Sequence, residues 1–241
     1  LNVEFKPITL LLGPNNSGKS SILAALRILV QTIESNDSTI PILLNGILGD
    51  FGTYRDVVYQ NHRGRPIGIN LSLYPHRYFV QKEEYMLEDW YSPNDFFAGI
   101  DLKIAYRSGR REIILKNSDL FFNQSVLLST EYSEETERQL VTRFLNKNIP
   151  PTYKSSISRG IRFFNFLPRN VHFYQREREG VVSEFLEEFK SQEINNIGRI
   201  SQAIYRELSN IEYIGAMRIP PERTYLYTGE RRRRIGSSGE R

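Results

Sequence analysis

Gly13-Pro14-Asn15-Asn16-Ser17-Gly18-Lys19-Ser20 is the stretch from which the fold of this chain is read. The octapeptide satisfies G-x-x-x-x-G-K-S/T at every fixed position, and each fixed residue type has a physical task. The two glycines allow backbone angles and a close approach that a side chain would block. Successive N–H groups can then line an anion nest, reinforced by the positive end of the helix that begins at Ser20. Lys19 brings a compact point charge to the outer phosphates of a nucleoside triphosphate and is the candidate catalytic residue. The Ser20 hydroxyl suits Mg²⁺, which otherwise keeps waters and phosphate oxygens. The expected nucleotide-binding set is Gly13, Pro14, Asn15, Asn16, Ser17, Gly18, Lys19, Ser20 and Ser21, with ATP and Mg²⁺ as cofactors.

The flanks supply the context this loop needs. Upstream, Val3 and Phe5 alternate with polar residues and Ile8-Thr9-Leu10-Leu11-Leu12 is a short apolar run, so residues 2–12 read as a buried strand. Downstream, Ile22, Leu23, Leu26, Leu29 and Val30 form one helical stripe from Ser20 to about Gln31, followed by a polar loop from Glu34 to Thr39. Residues 51–130 read as β-rich. Ile67, Ile69, Leu71 and Leu73 alternate with Gly68, Asn70 and Ser72; Ile100, Leu102, Ile104 and Tyr106 do the same, and Ser108-Gly109 is a turn into a further strand at Glu112 to Lys116. Residues 131–210 read as helical: Ser133 caps an acidic first turn before Leu140, Val141, Phe144 and Leu145, and a second helix runs from about Val182 to Leu208 with a break or kink at Gly198. Residues 211–217 read as a strand, and the tail of 211–241 is rich in Gly, Ser and Arg.

Composition bounds the function. With 241 residues, 39% hydrophobic and 25% charged, the chain suits one large α/β domain rather than a disordered segment. The absence of cysteine excludes disulfides, thiolate-bound zinc and cysteine nucleophiles, and fits a cytoplasmic setting. No apolar run approaches the roughly 20 residues that span a bilayer, and Leu1 to Pro7 lack the basic flank of a signal peptide, so no membrane is expected. The net charge of +4 is matched by the four arginines Arg231 to Arg234 alone, which leaves the body neutral.

Thr9 to Leu23, read with its Gly-Pro-Asn-Asn-Ser-Gly-Lys-Ser core, resembles the start of ABC-type ATPases of the SMC and RecF lineage, and in particular the ATPases of OLD-like nucleases and of the Septu and Gabija antiphage systems. Leu44-Asn45-Gly46 with Asp50-Phe51-Gly52-Thr53-Tyr54, and Gly215-Ala216-Met217-Arg218 with Pro221-Glu222-Arg223, are similar to two further segments of that group. The resemblance implies a P-loop NTPase fold of α/β class, an ABC-ATPase head with an antiparallel β subdomain and a helical insertion. It also implies two heads that sandwich ATP as a homodimer or higher oligomer, a nuclease partner or fused nuclease, and DNA as a candidate ligand.

Some expected parts have no match. A strand ending in Asp-Glu, to hold Mg²⁺ through water and polarise the attacking water, is missing. Val126 to Glu131 has polar residues where the aspartate belongs and reads as an ordinary strand. No LSGGQ-like segment occurs. In the resembling group both lie further toward the C-terminus, so the chain reads as a partial head from which hydrolysis cannot be completed alone. Gln60 and Gln81 are equal candidates for the glutamine that senses the γ-phosphate. Arg231 to Arg234, and Arg159, Arg162 and Arg169 around Phe163-Phe164-Asn165-Phe166, could meet nucleic acid, though a solvated tail and an aromatic core are the plainer readings. His62, His76 and His172 lack metal-ligand spacing, and Glu83, Glu84, Glu88 and Asp89 read as a solvated face. Two rivals stand beside a nuclease-coupled switch: a DNA-repair or chromosome-maintenance ATPase, and a non-hydrolysing module with structural ATP.

Overall fold

The computed structural model describes residues 2–74, 97–123, 125–171 and 191–215. Helix α1 (Lys19–Ile33) is built from Leu, Ile and Ala without an internal Gly or Pro, and its C-terminal half, Ile28 to Ile33, is buried. The loop after it is an Asx turn: Asp37 accepts hydrogen bonds from the Thr39 N–H (2.9 Å) and hydroxyl (2.6 Å), which together hold its carboxyl below the usual range. The chain then runs back along α1. The Thr32 hydroxyl accepts the Leu43 N–H at 2.8 Å, and the Gln31 amide donates to the Leu43 carbonyl at 2.6 Å.

A two-strand hairpin follows, β1 (Asn45–Gly46) with β2 (Gly49–Asp50), then the short helix α2 (Tyr54–Val57). The main sheet comprises β3 (Ile67–Leu73), β4 (Ala98–Arg107), β5 (Glu112–Phe122), β6 (Ser125–Ser133), β7 (Arg138–Phe144) and β8 (Lys147–Asn148). All neighbours are antiparallel and lie in chain order, a six-stranded meander. Helix α3 (Pro151–Arg159) packs on β7; the hairpin β9 (Ile161–Phe164) and β10 (Leu167–Val171) packs on α4 (Ser191–Ser209).

Alternation selects the faces. Ile100, Leu102 and Ile104 of β4 and Leu120 and Phe122 of β5 point to the core, where they join Phe144, Leu29, Val30 and the α4 stripe Ile197, Ile200, Ile204 and Leu208. The other face carries a polar row running across the strands, Asn70–Asp101–Asp119–Ser129–Arg143–Asn148.

Gly99 shows how tightly the β3–β4–β5 layer is closed. A methyl group there would lie 2.4 Å from the Leu71 carbonyl oxygen and 2.2 Å from the Phe121 ring, and the backbone oxygen cannot turn aside. Gly99→Ala is therefore expected to destabilise the fold by about 1–3 kcal/mol through overpacking. A urea-unfolding midpoint equal to the parent's would contradict this.

Several sequence expectations require correction, among them the helical reading of 131–210, which the strands β7 to β10 interrupt. Residues 2–12 are not a strand: Ile8, Leu10 and Leu12 are 93%, 76% and 80% exposed, because no described strand offers its backbone to pair with them. Residues 133–145 are not a helix. Glu134 to Glu137 form a turn, and Arg138–Phe144 pairs with β6, with Val141 opposite Thr130 and Phe144 opposite Leu128. An apolar set at 140, 141, 144 and 145 has helical spacing, but a register shift that passes over Thr142 lets a strand bury both Val141 and Phe144, and cross-strand pairing decided the outcome. Residues 211–215 pair with no strand. Helix α4 meanwhile runs through Gly198 unbroken; a methyl group there would sit 3.3 Å from the Arg169 carbonyl oxygen, so the glycine serves the approach of β10. The turn at Ser108-Gly109 and the polar loop after α1 are where the sequence placed them.

Candidate nucleotide-phosphate site

The loop at 13–20 is built by backbone angles that few residues adopt. Gly13 has φ +155°, Asn16 +64° and Gly18 +88°. A side chain at Gly13 would meet the Ser17 hydroxyl at 2.8 Å, and one at Gly18 would be strained by its left-handed backbone alone. Ser17 N–H closes the turn on the Pro14 carbonyl at 3.3 Å. Gly18 caps α1 with no side-chain hydrogen bond, and the first helical bonds run from Ser21 and Ile22 to the Gly18 carbonyl. The amides of Lys19 and Ser20 are therefore among the open donors of the helix start. With the helix dipole they make a site for an anion.

Lys19 returns onto its own loop. Its ammonium donates to the Gly13 and Pro14 carbonyls, each at 2.7 Å, and reaches the Ser17 hydroxyl at 3.4 Å. These partners are neutral, so a phosphate oxygen would replace them with a charge-assisted bond. Asn15, Asn16, Ser17, Ser20 and Ser21 are exposed and Lys19 half-buried, leaving the loop open to a ligand. The donor set fits a triphosphate with its metal: Lys19 and the loop amides for the phosphates, the first-turn hydroxyl of Ser20 for Mg²⁺. When bound, Mg²⁺ would neutralise charge on the phosphates.

Sequence reading missed what anchors the loop's helix. Arg27, two turns along α1, donates through Nε to the Leu48 carbonyl at 2.7 Å, with Nη2 on the same oxygen. Its guanidinium lies 5.0 Å from the Phe51 ring and 4.0 Å from the Tyr213 ring, joining α1 to the hairpin and to the segment after α4. The only signal was a cation within the apolar stretch Ile22 to Val30 of the helix. The Leu44-Asn45-Gly46 and Asp50-Phe51-Gly52 matches prove to be one closed turn. Asn45 Oδ1 accepts the Phe51 and Gly52 N–H groups, both at 3.0 Å, and Gly52 takes φ +77°. Asp56 Oδ2 accepts the Thr53 N–H and hydroxyl, both at 2.7 Å, which keeps that carboxyl below its ordinary range.

Other candidates are not brought to the loop. Gln60 is exposed, with Oε1 3.4 Å from Arg65, and Gln81 lies outside the described residues. Val126 to Glu131 is the interior of β6, with Glu131 exposed between Asn117 and Leu140. Phe166 is core, whereas Arg169 lies between the Phe164 and Tyr205 rings at 4.4 and 4.3 Å rather than facing solvent. His62 is exposed, and no group of three metal-ligating side chains occurs among the described residues. His76, His172, Glu83, Glu84, Glu88, Asp89 and Arg231 to Arg234 lie outside them.

A glycine-shaped loop with its lysine in place, at the open start of a helix, defines a P-loop nucleotide-binding protein. The chain belongs to the AAA ATPase domain family, whose model matches residues 1–219. With that membership come the P-loop NTPase fold of α/β class, ATP binding and ATPase activity. No curated protein and no solved structure matches the chain. Among the described residues no helix is long and apolar enough to cross a membrane.

Proposed function

We propose that the chain is an ABC-type ATPase head that acts as a nucleotide-dependent switch. ATP lies on Gly13 to Ser21, with Mg²⁺ on Ser20, and two heads close on it as a homodimer or higher assembly. A nuclease, fused or separate, is the controlled partner in a cytoplasmic antiviral complex of bacterial type. The observation that carries the reading is the Lys19 ammonium lying 2.7 Å from two carbonyls of a loop whose glycines hold left-handed angles.

Its other support is exposure. With Asn15, Asn16 and Ser17 in solvent, a phosphate held there would still be reached by water on one side. A second subunit covering that side would supply the desolvation that phosphoryl transfer needs. The acids that complete hydrolysis have no candidate in this sequence, so the chain contributes the grip and the metal hydroxyl. Light scattering of the purified chain, with and without ATP and Mg²⁺, tests the closure. The expected mass doubles on adding nucleotide; an unchanged mass at saturating ATP would remove the switch as described.

A further inference from the structure

Away from the loop, three guanidinium groups converge on one cavity. Arg55 on α2, Arg63 in the loop after it, and Arg111 at the end of the β4–β5 turn line a space of about 410 Å³, together with Tyr54 and Tyr106. A second cavity of about 370 Å³ continues from it, sharing Arg55 and Arg63 and adding Asn61 and His62. Behind them the buried Tyr54 ring is stacked on the Tyr106 ring, centroids 5.6 Å apart, and Arg63 lies 5.6 Å from the Tyr106 ring.

These cations are treated differently from their neighbours. On the same turn as Arg111, Arg107 is paired with Glu112 and Glu137, and Arg110 with Glu137. Among the described residues, Arg55, Arg63 and Arg111 have no carboxylate within ion-pair distance. Asp56, whose charge Arg55 and Arg63 feel, is turned to Thr53. Three like charges around one cavity repel, and an anion between them removes that repulsion. Arg111 also holds its place with φ +56°, a left-handed angle uncommon for a non-glycine residue.

We infer that this cleft is a second phosphate-binding site, for the phosphate ester of a nucleotide or of a nucleic-acid strand. Guanidinium forks match phosphate oxygens in pairs. The volume lies within the usual range for small-ligand pockets, about 300–1,000 Å³. The site is separate from the loop at 13–20. Leu43, on the cavity wall, is held by Gln31 and Thr32 near the end of α1, whereas Lys19 stands at its start. Along the axis that is about 18 Å at 1.5 Å per residue.

The test uses the full chain carrying Lys19→Ala, so that the loop does not contribute. Two probes are applied: a fluorescein-labelled, 5′-phosphorylated single-stranded 12-mer by anisotropy, and AMP by calorimetry. Expected is binding of one or both, weakened by salt, with a loss of about tenfold or more on adding Arg63→Ala and Arg111→Ala. Lys116→Ala with Arg138→Ala, both exposed positions, should leave it unchanged. Binding of AMP alone makes the ligand a free nucleotide; binding of the 12-mer alone makes it a strand. The inference is overturned if neither probe binds, if the cleft pair binds like its parent, or if polyglutamate displaces the 12-mer equally well. Should the alanine pair fail to fold, Arg63→Lys with Arg111→Lys keeps the charge and loses the forks. A severalfold weaker affinity at unchanged melting temperature then supports the site, and an unchanged affinity overturns it.

Discussion

Lys19→Ala is expected to raise the Kd for ATP about 100-fold or more while the melting temperature stays within about 1 °C of the parent's. A hydrogen bond to a charged group contributes about 1.5–3 kcal/mol, and each 1.4 kcal/mol is tenfold in affinity. One ammonium serving two phosphate groups makes two such bonds. The cost to the fold is small because the partners it leaves, the Gly13 and Pro14 carbonyls, belong to exposed residues that water can satisfy. Titration calorimetry with ATP and Mg²⁺ reads the first quantity and thermal unfolding the second. An unchanged Kd would mean that the triphosphate is held elsewhere, and the reading of the loop would have to be given up.

Phe144→Ala is the largest expected loss of stability, about 3–5 kcal/mol. The ring is 0% exposed, at the end of β7 opposite Leu128, and stands in the cluster that joins the sheet to the helices. Removing it takes away the burial of an aromatic side chain and leaves a cavity that a sheet pinned by its register cannot close. For a domain of this size the melting temperature should fall by roughly 10 °C. Phe164→Ala is the internal control: that ring is 37% exposed, and its loss should cost under half as much. Equal costs at the two positions would show that the core is not where the burial pattern puts it.

Much of the candidate loop's local geometry was legible in the residues themselves. The requirements at Gly13, Gly18, Lys19 and Ser20 are local: a left-handed angle, a close approach, a cation and a hydroxyl at fixed spacing before a helix. Residue type alone specifies such things, and the structure forms the angles and starts α1 at Lys19. The strands with clean alternation, β3 and β4, were legible for the same reason, since one face of each had to be buried.

What the residues left undetermined is what depends on a distant partner. Apolarity at Ile8, Leu10 and Leu12 states that these side chains avoid water, but a strand exists only where another strand takes up its N–H and C=O groups, and none described does so. At 133–145 the local signals favoured a helix. The turn instead places Glu137 against Arg107 and Arg110, some thirty residues away, and β7 gains a ladder with β6 that is shifted once, at Thr142. Arg27 was unremarked because its partners, Leu48, Phe51 and Tyr213, come from two later segments. By itself the sequence determined the shape and charge of the loop at 13–20, because short-range backbone geometry and charge are properties of eight consecutive residues. Only the tertiary structure decided which apolar segments became strands and which cations stayed unpaired, because hydrogen-bond ladders and ion pairs are satisfied between segments rather than within them.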